Sequence, residues 1–219
     1  MIKENKWKLL ISSIVILLPV IAGLILWNRL PDRMATHWGM AGSADGWSSK
    51  PFAVFALPLF VLVIHWICII VTAADPKNKN QTQKAVSLVF WVCPFISLFT
   101  GAIIYTAAFG MNFSINILLP LVTGLVFVVI GNYLPKCKQN YTVGIKVVWA
   151  LENEENWNAT HRFGGKVWVI GGMLLMLCAF LPKAVMYYVL IVLITLLGII
   201  PVIYSYVYYR KQKADAETH

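Results

Sequence analysis

The sequence predicts an all-α fold, a polytopic membrane helix bundle of about six transmembrane helices with both termini cytoplasmic. Three observations lead there. Apolar residues are 59% of the 219 and charged residues only 12%, against roughly 45–50% and 25% in ordinary soluble domains. Polar groups are therefore too few to cover a water-facing surface, and lipid must cover part of it. Six segments approach the roughly 20 helical residues that cross a hydrocarbon core and carry no Asp, Glu, Lys or Arg in their interiors. Finally, the basic residues are crowded into alternate connections.

The expected spans are 9–27, 52–72, 85–109, 115–133, 167–181 and 185–208. Helix is expected because a lipid-exposed backbone must satisfy its own hydrogen bonds, and no strand-like alternation marks a barrel. Lys3, Lys6 and Lys8 precede the first span and imitate a signal peptide. That span exceeds the usual apolar core of a signal, and no small-residue cleavage site follows, so a retained helix is expected. Spans three and four are joined only by residues 110–114, and five and six meet at Leu181-Pro182-Lys183, so each pair reads as a hairpin. The chain is expected to form one membrane domain over 1–219, with an outside loop at 28–51 and a cytoplasmic loop at 134–166.

Charge gives the orientation. Lys3, Lys6, Lys8, Lys77, Lys79, Lys84, Lys136, Lys138, Lys146, Arg162, Lys166, Arg210, Lys211 and Lys213 fall on one side, and Arg29, Arg33, Lys50 and Lys183 on the other. The positive-inside rule puts the richer side in the cytoplasm. Trp7, Trp27, Trp47, Tyr133, Trp168 and the tyrosines at 204, 206, 208 and 209 lie near expected interfaces, where amphipathic rings prefer to sit. The net charge of +9 is spread between apolar runs rather than gathered in a patch, which argues against direct nucleic-acid binding. Cys68, Cys93, Cys137 and Cys178 are scattered, with no CxxC pair, so neither a disulfide framework nor a zinc site is expected.

Two loops hold most of the chemistry. In the outside loop, glycines and the Asp45-Gly46 pair favour tight turns over helix. Polar residues alternate there with Trp38, Met40 and Trp47, giving a folded loop with an apolar side that packs on its own helix ends or receives an amphipathic peptide. His37, Trp38, Asp45 and Trp47 are the candidate binding residues. His37 and Asp45 alone fall short of the three or four convergent ligands of a metal site, so none is expected. In the cytoplasmic loop the candidates are Asn140, Gly144, Lys146, Trp149, Glu152, Glu154, Trp157, His161 and Arg162. Acidic residues at 152–155 ahead of His161 and Arg162 match the charge order of a short helix. That segment reads as an interfacial helix leading into span five, or as a docking surface for a cytosolic partner. Gly165 and Gly172 share a helix face and permit close helix contact.

These loops resemble the SdpI family of bacterial immunity membrane proteins. The resemblance rests on Leu30-Pro31, Thr36-His37-Trp38, Gly42 and Asp45-Gly46-Trp47. It continues through Gly131-Asn132-Tyr133-Leu134-Pro135-Lys136, Asn140, Gly144-Ile145-Lys146, Trp149, Glu152, Trp157, His161-Arg162, Gly165 and Gly171-Gly172. Lys146 stands where the family usually has Arg, which keeps the charge and loses the planar fork. The resemblance implies a multi-pass protein of the bacterial plasma membrane that gives resistance to a secreted, membrane-active peptide toxin. It also implies signalling to a cytoplasmic transcriptional repressor, with membrane lipid as the remaining partner and no cofactor.

The rival readings are a transporter of small molecules or ions and, less favoured, a membrane-bound enzyme. Transporters place several ionisable groups near mid-membrane, and only His65 is of that kind here. The spans contain no Asp or Glu, and no nucleophile elbow is present. No catalytic residue is therefore assigned, and the chain is expected not to be an enzyme.

Overall fold

The computed structural model describes residues 1–40, 42–77, 81–111 and 113–217. Ala41 of the outside loop and Lys79 of the charge count lie outside the described residues. Six helical stretches are long and apolar enough to cross a membrane: Lys6–Ile25, Phe52–Ala74, Gln83–Ala108, Ile115–Lys136, Glu154–Phe180 and Lys183–Glu217. The described residues divide into two compact units, the first Met1–Ala73 with Ser87–Ile115, the second Ala74–Val86 with Asn116–His219.

The first unit contains α1 (Lys6–Ile25), a two-stranded antiparallel hairpin of β1 (Arg33–Trp38) and β2 (Ala44–Ser49), α2 (Leu57–Ala74) and most of α3 (Gln83–Ala108). The hairpin turns at Gly39–Gly42, where Gly42 takes a φ of 78° that only glycine adopts freely. A π-helical turn at Phe52–Ala56 leads into α2. Its cause is local: Pro58 has no N–H to return to Val54, and a wider turn absorbs the gap and the ring. The core of this unit joins Leu30 and Met34 from around the hairpin to Ala53, Val54 and Ile104, with Trp38, Leu57 and Tyr105 packed against them. Helices α1 and α3 are tied by hydroxyls that donate to main-chain carbonyls, Ser97 to Ile16 at 2.8 Å and Tyr105 to Pro19.

The second unit contains α4 (Ile115–Tyr133), the short α5 (Val148–Glu152), α6 (Glu154–Leu177) and α7 (Lys183–Glu217). The fifth membrane helix thus starts at Glu154 rather than Val167, so half of the loop expected at 134–166 is helix. Asn153 caps it by accepting from the Asn156 amide at 2.8 Å, and Glu154 and Glu155 suit the positive end of its dipole. The Gly164-Gly165 pair does not break it. Those glycines are where neighbours come closest: a Cβ on Gly165 would lie 2.7 Å from the Gly131 carbonyl oxygen and 2.9 Å from the Pro135 ring. One turn-pair further on, a Cβ on Gly172 would meet the Gly124 carbonyl oxygen at 2.6 Å. α4 and α6 therefore touch backbone to backbone along an antiparallel seam, as small residues allow in lipid.

α6 and α7 are joined by polar groups that have no water to fall back on. Pro201 cannot donate to Leu197, and the Trp168 indole N–H donates to that freed carbonyl at 2.8 Å. Nearer the α6 start, Asn156 donates to the Ser205 carbonyl at 3.0 Å, while Ser205 and Thr160 hydroxyls donate to its amide oxygen at 2.7 and 2.9 Å. All three side chains are fully buried. Elsewhere the helices turn Ile, Leu, Val and Phe outward, as surfaces meant for hydrocarbon do.

Candidate functional site

In the first unit the hairpin sorts the candidate residues onto two faces, because successive strand side chains point opposite ways. His37, Asp45 and Trp47 are exposed together, and Trp47 keeps 50% of its surface accessible. The His37 Nδ1 lies 2.5 Å from an Asp45 carboxylate oxygen, a hydrogen bond that fixes the face across the strands. Met40, 67% exposed, extends the apolar part at the turn. Trp38 goes the other way. It packs on the unit's core and meets Phe113 edge-on, with ring centroids 6.1 Å apart. The Thr36 and Ser48 hydroxyls bond across the inner side at 2.9 Å. Lys50 reaches the Trp27 carbonyl at 3.3 Å and Asp32 at 3.2 Å, closing the base of the hairpin. What this arrangement offers chemically is an aromatic ring, a thioether and a paired imidazole–carboxylate on a rigid ribbon. Among the described residues no group of three or more His, Cys, Asp or Glu is placed to hold a metal ion.

His65, the one ionisable side chain expected inside a span, is completely buried in α2. Its Nε2 lies 2.9 Å from the Ser12 hydroxyl on α1, and that hydroxyl in turn donates to the Leu9 carbonyl at 3.0 Å. The serine proton is used, so His65 carries its proton on Nε2 and donates. The bond ties α1 to α2, and the other ring nitrogen, Nδ1, is buried with no hydrogen-bond partner among the described residues.

In the second unit, residues 136–163 form a polar knot. The Asn140 side chain holds a tight turn from inside: its amide nitrogen donates to the Lys138 and Val143 carbonyls, both at 2.8 Å, and its oxygen accepts from the Thr142 and Val143 amides at 2.8 and 2.6 Å. His161 spans the loop and α6. The Ile145 N–H donates to its Nε2 at 3.0 Å, so Nδ1 carries the proton and donates to the Trp157 carbonyl at 2.8 Å. The Trp157 ring stacks on His161 at 4.0 Å, and its indole N–H donates to the Cys137 carbonyl at 2.9 Å. Burial pushes the Cys137 thiol up to about 11, keeping it protonated and inert at neutral pH. Gly144, at φ 123°, sits against this stack, where a Cβ would strike the Trp157 ring at 3.1 Å.

Sequence reasoning missed the acid at the centre of the knot. Asp75 is 7% exposed and accepts from the Lys77 and Tyr141 amides at 2.9 and 2.8 Å and from the Thr142 hydroxyl at 3.1 Å. Gln81 and Thr82 add bonds to the Lys138 and Lys136 carbonyls. The available signal was an acid at a helix end directly before Pro76. Asn140, Gly144, Trp157 and His161 are therefore gathered in one place. Trp149 lies apart on α5 against Tyr206 and Tyr209, and Lys146, Glu152, Glu154 and Arg162 point outward.

The comparisons fall on both regions. Residues 136–205, from the polar knot to Ser205, match the SdpI/YfhL protein family. Residues 14–62, which include the hairpin, match a domain of unknown function, DUF1648. Over 205 residues, 93% of this chain and 97% of the other, it is 26% identical to the immunity protein SdpI of Bacillus subtilis strain 168. No solved structure matches. Within the matched segment lie the knot's Asn140, Gly144, Trp157 and His161 and the α6–α7 bonds, while Asp75 lies outside it.

Proposed function

We propose that this protein is a non-enzymatic immunity protein of the bacterial cell membrane that protects its cell from a secreted, membrane-active peptide. The hairpin carries the reading: Trp47, Met40 and the His37–Asp45 pair face outward on a ribbon anchored to membrane-spanning helices, with an apolar and a charged part side by side. An amphipathic peptide has the matching halves, and capture at the bilayer surface would stop its insertion. The full-length likeness to a protein called an immunity protein supports the same reading. The peptide, membrane lipid and no cofactor complete the partner list. Deleting the gene in its native host tests this. The deleted cells should die in culture supernatant of the parent, and the restored gene should rescue them; survival of the deletion strain at parental levels overturns the reading.

A second role, signalling to a cytoplasmic repressor, is favoured by Lys146, Glu152, Glu154 and Arg162, which stand exposed around the buried knot. Glu154→Ala with Arg162→Ala should then abolish induction of a repressed reporter while leaving survival unchanged. Unchanged induction removes these side chains from any docking face. Transport is less favoured, since among the described residues the one hydrogen-bond partner of His65 is the Ser12 hydroxyl and not an acidic side chain.

A further inference from the structure

The first unit has a partly open cavity of about 200 Å³ between α1, α2 and α3. We propose that it is a binding site for one phospholipid acyl chain from the leaflet nearer the hairpin. Two prolines shape it. Pro19 in α1 and Pro58 in α2 both line the space, and Pro58 is the residue that widens the preceding turn into a π-helix. Its walls are mostly apolar and carry three hydroxyls, those of Ser97, Thr100 and Tyr105, two of which are spent on main-chain carbonyls. The Ser97 hydroxyl gives its proton to the Ile16 carbonyl, and the Tyr105 hydroxyl gives its proton to the Pro19 carbonyl. No carboxylate, ammonium, guanidinium or imidazole lines the site among the described residues.

One remaining hydroxyl, that of Thr100, among apolar walls does not hold water, which needs two to four polar partners. An apolar cavity of ~150 Å³ already stays dry and accepts an apolar guest. The surrounding medium decides which guest. The walls are membrane-spanning helices, and the wall residue Phe60 is 64% exposed on the outer surface of α2, where hydrocarbon surrounds the protein. Depth selects the leaflet. Leu57 and Val61 lie five to nine residues past Phe52, and Pro19 six before the end of α1, which puts the cavity roughly 10 Å below the hairpin end at 1.5 Å per residue. A chain whose headgroup lies at the hairpin level reaches that depth with its middle methylenes. The site is independent of the immunity reading and stands or falls apart from it.

The test uses the whole protein in phosphatidylethanolamine–phosphatidylglycerol vesicles containing trace phospholipid with a diazirine at the headgroup end, middle or tip of one acyl chain. Adducts are mapped by mass spectrometry after photolysis. The mid-chain probe should label Val61 and Thr100 several-fold above Leu18 and Ile21, which face outward at the same depth on α1, and the other two probes should lose that enrichment. Thr100→Leu, which fills the space, should abolish it for the mid-chain probe too. Equal labelling of cavity and outward residues by every probe overturns the site, as does enrichment that survives Thr100→Leu. If that variant does not accumulate, the depth series on the native protein decides alone.

Discussion

Two tryptophans nine residues apart do opposite jobs. Trp47 leaves half its surface in solvent, and Trp38 is folded into the core beside Phe113. Trp47→Ala should therefore leave membrane levels unchanged and reduce survival against the peptide, since a central aromatic anchor commonly contributes above ~1–2 kcal/mol. Trp38→Ala should lower the amount of folded protein, as the half-buried ring packs on the core and its loss costs about 1–3 kcal/mol. Immunoblots of membranes beside survival curves separate the two, and the opposite assignment would show that the hairpin faces are reversed in use. The four outside candidates could be picked from sequence by residue type alone. Which face each occupies could not, because alternation separates two sides of a ribbon without saying which of them meets the core. Asp75 escaped for a related reason: an acid beside a span looks solvated until the loop that covers it, 66 residues away, is in place.

At the scale of elements, apolar length was enough to find all six membrane helices, and α4 was bounded to the residue. Length failed at α6, whose first turns are polar yet buried. Asn156, Thr160 and His161 look like loop residues until Ser205 and Ile145 are seen to satisfy them. The hairpin failed too, since six-residue strands with irregular pairing carry too short a pattern to read. The bond from Trp168 to Leu197 gives a direct check on the α6–α7 pair. Trp168→Phe keeps the ring against Phe127 and removes only the donor, so it should cost about 1–2 kcal/mol. A lower melting temperature in detergent is expected for Trp168→Phe and no change for Trp168→Phe placed with Pro201→Ala, which gives Leu197 back its helical donor. Equal losses in both proteins would deny the bond its role.

For the whole molecule, the orientation follows from charge alone and calls for a direct measurement. In a variant without its native cysteines, Ser43→Cys on whole cells should react with a membrane-impermeant maleimide, and Asn158→Cys should react only after lysis. Both positions are exposed, so burial cannot mask the result. The reverse pattern would invert the protein. The distribution of Lys and Arg made this expectation legible from sequence. The division into two compact units was not, because no composition shift, linker or repeat marks it: α3 runs through it as a single unbroken helix.

The missing N–H of Pro201 also bears on how the protein is made. Until α6 stands beside it, α7 has a carbonyl at Leu197 with no donor, and α6 has an amide at Asn156 waiting for Ser205. Either helix released by itself from the translocon into lipid would carry those groups unpaired, at a cost of several kcal/mol each. The tight connection at 178–182 lets the two meet before either leaves. Biosynthesis of the C-terminal part is thus a cooperative step, in which the last two helices enter the bilayer as one already-bonded pair.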